Sequence, residues 1–429
     1  MPFMSFSILG TWLRGLLSIA MIGLGIGLIR YWYQETQVSR EVVLVKVDDA
    51  GRNQTVEVRD RKDRSEVAPP AGKAERLAAW RPGLDRVTAA LAGGVFLISW
   101  SFVGGRVLPL LRRKGEDEPN SNRDGTVQRI KRPDGSELHV EFFGPSDAPP
   151  IVLTHGWGAD GTEWYYLKKQ LTDKFRLIVW DLPGLGLSKQ PDNHDYSLEK
   201  LASDLKAVVE LSGGKPVVLL GHSIGGMTTL TYAKLFPETL GVTVAGLVLV
   251  HTTYTNPIET TSMSGLYKAL RKPLLEPLLH LTIWLSPLVW VMNWLSYLNG
   301  STLRSTAKGG FAGTETRGQL EFASRFLHRD SPAVLARGMF GMLHYDATLT
   351  LSKINVPVLI IPGDLDSTCK PEASEFMHQA IPGSQLIALK PAKHMGLVEH
   401  NLEFSKAVAG FVDSCQFASH ESPAARRTV

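Results

Sequence analysis

In the run Gly221-His222-Ser223-Ile224-Gly225, a serine stands between glycines, directly after the apolar stretch 217–220 and before a helix-like stretch at 226–235. A serine hydroxyl is a poor nucleophile until a neighbouring base takes its proton. A sharp strand-to-helix turn can present it, and such a turn tolerates only small residues beside the serine. The helix that follows aims its first backbone N–H groups at the reaction centre. The chemistry open to this arrangement is attack on an acyl carbon.

Three other segments could complete that chemistry. His155-Gly156-Trp157-Gly158 ends the apolar run 151–154, and a glycine-rich strand exit can turn a backbone N–H toward an oxyanion. Trp157 and Ile224 are the two expected oxyanion donors, each worth about 3 kcal/mol of transition-state stabilisation. His155 itself is expected to pack the loop. Gly363-Asp364-Leu365-Asp366 follows another apolar run, and a rigid, buried carboxylate there could orient an imidazole. Asp364 and Asp366 compete for that role, and Asp366 is preferred. Lys393-His394-Met395-Gly396 follows the last apolar run. A lone histidine is usually structural. Here the order serine, aspartate, histidine, each at a strand end, favours His394 as the general base.

These residues need a scaffold that brings strand ends together. The segments 127–131 and 137–143 flank Pro133-Asp134-Gly135 and read as a hairpin. Six further apolar runs follow, at 151–154, 177–180, 217–220, 247–250, 356–361 and 385–389. Continuous apolar strands suit a sheet covered on both faces. Helical stretches lie between most of them, such as 198–211 with Ser197 as N-cap. That alternation predicts a mainly parallel, eight-stranded α/β sheet with right-handed crossovers.

Bulk properties narrow the class. The chain has 429 residues, a formal charge of +4 and a pI near 8.9, with 44% hydrophobic and 21% charged residues. That is globular in composition and not basic enough to argue for nucleic acid. The two cysteines, Cys369 and Cys415, form no CxxC pair, and a chain of this size needs no disulfide.

The N-terminal region differs in character. Counting from Ile8 with Arg14 snorkelling, residues 8–29 are long enough to span a bilayer, and Arg30-Tyr31-Trp32-Tyr33 reads as an interfacial anchor. Residues 87–105 carry no charge and lie between Arg86 and Arg106, a second predicted span. Gly93-Gly94 and Gly104-Gly105 could let helices approach closely. Between the spans, strand-like stretches on either side of 49–53 suggest a small hairpin, 62–75 a loop, and Asn53 heads a weak glycosylation sequon. Residues 112–126 read as a linker.

Residues 127 to about 415 resemble the α/β-hydrolase superfamily. Four motifs carry the resemblance, in order: His155-Gly156-Trp157-Gly158, Asp181-Leu182-Pro183-Gly184-Leu185-Gly186-Leu187-Ser188, Gly221-His222-Ser223-Ile224-Gly225, and Asp366 followed by His394. The second is similar to the capped branch that includes monoglyceride lipases and carboxylesterases. Epoxide hydrolases and haloalkane dehalogenases resemble the chain less, because they use aspartate where it has Ser223. The resemblance implies Asp366 as the acid, and a core at 127–256 and 351–417. It also implies a helical cap at 257–350. No metal or organic cofactor is expected.

Within the cap, 277–303 is uncharged and contains Trp284, Trp290 and Trp294. Both flanks belong to one domain, so this stretch cannot cross a bilayer once, and Pro277 and Pro287 should break it into short helices. It either lines an acyl pocket or dips into the interface. The full expectation is a multi-pass membrane region at 1–111, a hydrolase domain on the cytoplasmic side, and a disordered tail at 418–429. The expected activity is cleavage of apolar carboxylic esters or lipids through acyl-Ser223. Thioester, carbon–carbon or haloperoxidase chemistry, or a non-catalytic membrane scaffold, are the alternatives.

Overall fold

The computed structural model describes residues 8–38 and 85–415. The inter-span hairpin and loop, the Asn53 sequon and the tail lie outside those residues. Within them the chain divides into two compact units, 17–38 with 85–103, and 8–16 with 104–415.

The smaller unit consists of most of α1 (Ile8–Val38) and α2 (Arg86–Val107), both long and apolar enough to cross a membrane. The two helices meet at glycines. A Cβ on Gly94 would stand 2.8 Å from the Gly25 carbonyl oxygen, and one on Gly25 would stand 3.1 Å from the Gly94 oxygen. Gly105, expected to serve the same contact, instead lies in the larger unit, where its Cβ would meet the Tyr297 carbonyl oxygen at 2.3 Å.

The larger unit is built on eight strands: β1 (Thr126–Lys131), β2 (Glu137–Phe143), β3 (Pro150–Thr154), β4 (Arg176–Trp180), β5 (Val217–His222), β6 (Val244–Val250), β7 (Val358–Ile361) and β8 (Gln385–Leu386). Their order in the sheet is β1-β2-β4-β3-β5-β6-β7-β8. β2 pairs antiparallel with β1 and β4, and every other pairing is parallel. β3, β5 and β6 are buried along their whole lengths. Successive side chains go to opposite faces. Val152, Leu219 and Leu247 join one core, while Ile151, Leu153, Val218, Leu220 and Val248 join the other. Each fully buried aliphatic side chain contributes roughly 1.5–3 kcal/mol, so the two faces of the sheet dominate over surface ion pairs worth about 0–1 kcal/mol.

Helices α3 (Tyr165–Leu171), α4 (Leu198–Val209) and α5 (Ile224–Leu235) cover the sheet between strands, with α14 (Pro371–Ala380), α15 (Gly396–Glu399) and α16 (Asn401–Ser414) closing the C-terminal half. Ser197 caps α4 as expected, its side chain accepting from Lys200 N–H at 3.2 Å. Between β6 and β7 run eight helices: α6 (Pro257–Thr260), α7 (Ser264–Leu270), α8 (Glu276–Trp284), α9 (Ser286–Leu298), α10 (Ser301–Gly310), α11 (Arg317–Arg329), α12 (Pro332–Leu343) and α13 (Thr348–Leu351). α8 and α9 meet at a 98° bend, with Pro287 in the first turn of α9. Pro277 does not end a helix. α7 runs into α8 through the π-helical turn Arg271–Leu275, and Pro277 falls in the first turn of α8, a position that tolerates proline.

The segment before β1 has no helix or strand, yet it is fastened to the sheet domain. The Asp117 carbonyl accepts from the Tyr166 hydroxyl at 2.8 Å. Arg123 reaches Glu141 at 2.7 Å, Asp181 at 3.1 Å and Asp160 at 3.3 Å, and all three carboxylates are largely out of water. A buried carboxylate needs such a partner, so what the sequence suggests is a loose linker neutralises part of the core.

Candidate active site

Ser223 sits at the end of β5 with φ 54 and ψ −118, a left-handed, strained backbone for a residue with a Cβ. The strain is held by bonds on both sides. Its N–H donates to the Val250 carbonyl at 2.9 Å, and its own carbonyl accepts from the Thr252 hydroxyl at 2.6 Å. Flanking glycines are obligatory here. A Cβ on Gly221 would stand 2.2 Å from the Gly225 backbone, and one on Gly225 would stand 2.2 Å from the Thr154 carbonyl oxygen.

His394 comes from the loop after β8. Its Nε2 is 3.1 Å from Ser223 Oγ and its Nδ1 is 2.7 Å from Asp366 Oδ2. All three groups are buried, with Ser223 at 8% exposure. Asp366 Oδ1 accepts from the Thr368 and Cys369 N–H groups at 2.8 and 3.1 Å. Burial alone would raise the Asp366 pKa, but the adjacent His394 and His251 hold it well below the usual carboxylate range. Asp364 takes a different place: its Oδ1 accepts from Ala392 N–H at 2.9 Å and so braces the histidine loop. The structure therefore brings Ser223, His394 and Asp366 together and leaves Asp364 outside.

Trp157 and Ser223 line one cavity. Ile224 opens α5, and the first N–H groups of a helix have no intrahelical acceptor. The Trp157 indole donates to the Leu335 carbonyl of α12 at 3.0 Å, tying the strand exit to the cap. His155 packs the loop as expected. Its Nε2 accepts from Leu182 N–H at 2.9 Å, which leaves Nδ1 to donate to the Gly156 carbonyl at 2.8 Å. Asp181, first residue of the second motif, accepts from Gly161 N–H at 2.7 Å and Leu187 N–H at 2.8 Å, so it sets the loop shape.

Two residues escaped the sequence reading. His251, buried at the end of β6, places Nδ1 3.5 Å from Asp366 Oδ2; burial lowers its pKa to about 4 despite that carboxylate, so it is a neutral neighbour at pH 7. Its position after an apolar strand was the available signal. Glu163 pairs with His222 Nδ1 at 2.9 Å and accepts from Gly156 N–H at 3.0 Å, while His222 Nε2 lies 3.2 Å from the His394 carbonyl. One buried pair thus links the Trp157 loop, the serine turn and the histidine loop. Burial opposes both charges, but each partner overrides it: Glu163 is held below its ordinary 4.5 and His222 above its ordinary 6.5.

Linkage gives the pair a pH signature. The raised His222 contributes fully below about pH 6.5 and loses its contribution as pH climbs through the folded value. The depressed Glu163 contributes above about pH 4.5 and loses it as pH falls through its folded value. Glu163→Gln is expected to destabilise the protein by about 3 kcal/mol between those limits and by less once pH has risen through the raised folded value of His222. Urea unfolding of the purified protein across pH checks this, and a pH-independent difference would contradict it.

The family described as alpha/beta hydrolase fold matches residues 149–270. The chain has the α/β-hydrolase fold. Its sequence is 27% identical over 283 residues to the pimeloyl-[acyl-carrier protein] methyl ester esterase of Aeromonas salmonicida, covering 64% of this chain and 99% of that one. The α/β-hydrolase fold recurs in an esterase from Exiguobacterium antarcticum, at TM-score 0.55 and 24% identity over 68% of this chain and all of that one. It recurs again in a membrane phospholipase A, at TM-score 0.53 and 20% identity over 67% and 86% of the two chains. At such identities the solved structures share the fold with this chain.

Proposed function

We propose that the chain is a membrane-anchored serine hydrolase that cleaves apolar carboxylic esters through an acyl-Ser223 intermediate. The observation that carries this reading is the hydrogen-bonded line from Asp366 through His394 to Ser223, opening on a cavity walled by Met227, Ile258, Leu275 and Leu279. His394 takes the Ser223 proton as Oγ attacks the ester carbonyl. The N–H groups of Trp157 and Ile224 receive the oxyanion. His394 then returns the proton to the leaving alcohol, and water repeats the sequence to free the acid. The similarity to a methyl ester esterase supports an ester as the bond broken. Turnover of a panel of p-nitrophenyl acyl esters, with fluorophosphonate labelling that vanishes in Ser223→Ala, tests the reading. Labelling without turnover of any ester would shift it to another acyl bond.

Membrane anchoring rests on α1 and α2, whose lengths and hydropathies suit bilayer spans and whose apolar side chains, among them Leu17, Leu24 and Phe96, are exposed. Two spans place the hydrolase on the same side as the N-terminus, and the basic Arg112-Arg113-Lys114 after the second favours the cytoplasmic side. Protease accessibility on sealed vesicles tests that; digestion from the outer face alone would reverse it. Lipid-like substrates are the corresponding class. In the cap, Trp284 is 78% exposed and Trp290 43%, whereas Trp294 packs edge-on against His328 with ring centroids 4.4 Å apart. Tryptophan favours the interfacial zone, and tethering raises the local concentration of the cap at the surface. Replacing Trp284 and Trp290 together by alanine is expected to lower kcat/KM on vesicle-borne esters about tenfold and leave that on micromolar soluble esters unchanged. Equal losses on both substrates would show that these side chains do not engage the bilayer.

A further inference from the structure

The beginning of α1 does not behave like a tether. Leu9, Leu13 and Leu16 are exposed, but Ile8 is 7% exposed and packs with Ile258, Leu275, Leu279 and Ala336 of the cap. The next turns follow the same face. The Trp12 indole donates to the Thr282 hydroxyl at 2.8 Å, Arg14 donates to the Ser305 hydroxyl at 3.3 Å, and Gly15 lies so close to Met292 that a Cβ would stand 2.3 Å from its Cε. Residues 8, 12 and 15 share one stripe of a helix, and here that stripe is pressed onto α8 and α9, with Arg14 beside it reaching α10.

Ile8 also touches the space beside the nucleophile. It lines the apolar cavity of about 150 Å³ that contains Ser223. It lines a second, smaller cavity of about 50 Å³, bounded by Arg14, Asn293 and His328. Ile8, Trp157 and Met339 are common to both linings and so form the partition between them.

We propose that Ile8, at the start of the first apolar helix, is the end wall of the acyl cavity and sets the chain length the enzyme accepts; this rests on the reading of the chain as an ester hydrolase. A space of about 150 Å³ accommodates roughly six carbon atoms, which sets the expected acyl preference at about six carbons. Trimming Ile8 joins the smaller cavity to the larger and admits longer chains. Enlarging it shortens the space.

The test uses the full-length protein in detergent and a series of p-nitrophenyl alkylphosphonates from ethyl to decyl. Ser223 Oγ attacks phosphorus, p-nitrophenolate leaves, and His394 takes the serine proton, so the series reads cavity length whether or not esters are the natural substrates. The wild-type rate is expected to peak near hexyl. In Ile8→Trp the hexyl-to-ethyl rate ratio falls by about tenfold or more, the equivalent of roughly two buried methylenes. In Ile8→Ala the decyl-to-ethyl ratio rises by a similar factor. Leu9→Trp, on the exposed side of the same turn, leaves both ratios at their wild-type values. Ile8 variants with the wild-type chain-length profile would overturn the proposal, as would a Leu9→Trp shift equal to that of Ile8→Trp. Failure of the ester reading shows separately, as phosphonate labelling without turnover of any acyl ester.

Discussion

Ser223→Ala is expected to reduce kcat by about 10⁴–10⁶-fold and to abolish fluorophosphonate labelling, with the fold retained. The strained turn at Ser223 survives the substitution, because the bonds that hold it run through the backbone: N–H to Val250, carbonyl to Thr252. Alanine also carries a Cβ, so the left-handed φ of 54 costs it about what it costs serine. What disappears is Oγ, the only atom there that His394 can activate. The residual rate would come from oxyanion stabilisation and substrate binding, which remain when a nucleophile is removed. Circular dichroism and thermal unfolding, run beside the kinetics, check that the protein is intact. An intact Ser223→Ala protein with undiminished turnover would remove Ser223 from the mechanism.

The second large effect separates the two aspartates. Asp366→Asn should lower kcat by about 10⁴-fold, while Asp364→Asn should cost at most about tenfold. At 366 the carboxylate accepts from His394 Nδ1 at 2.7 Å, fixing the tautomer whose Nε2 can take the serine proton and balancing the imidazolium that forms. An asparagine amide can turn its NH₂ toward Nδ1 and favour the wrong tautomer. At 364 the carboxylate accepts one backbone N–H from Ala392, a bond the amide oxygen of asparagine can also accept. Single-turnover kinetics of both variants on one soluble ester decides the matter, and a reversed ranking would move the acid to Asp364.

Why the aspartates could be ranked in advance, and other residues not found, is a question of range. The serine turn is legible because its causes are local: an apolar strand before it, glycines within two residues, a helix after it. The strands are legible because each is apolar on both faces. Asp366 needed more, since Asp364 lies two residues away at the same strand exit, and the resemblance to known hydrolases supported the preference for it. Glu163 had no local mark. Its partner His222 is 59 residues distant, and a glutamate opening a helix looks like any solvated first turn. Arg123 sits in a charged, glycine-bearing stretch whose composition suggests mobility, while its order comes from carboxylates 18 and 58 residues further on. Ile8 was hidden by its surroundings. In a run of apolar residues, a side chain facing lipid and one facing a protein cavity have the same chemistry, and only the packing distinguishes them.

The bond from the Trp157 indole to Leu335 has a consequence for timing. On the proposed mechanism the same residue offers its backbone N–H to the oxyanion and its ring to α12, so the two cannot move independently. A cap that swings outward takes the Leu335 carbonyl with it, and the indole must either release that carbonyl or drag the strand exit out of line. In either case an outward swing of the cap would slow the reaction, and its return would restore the rate. Chemistry would thereby be synchronised with enclosure: a substrate that has merely arrived would wait, and the clock would start when the cap closes over it.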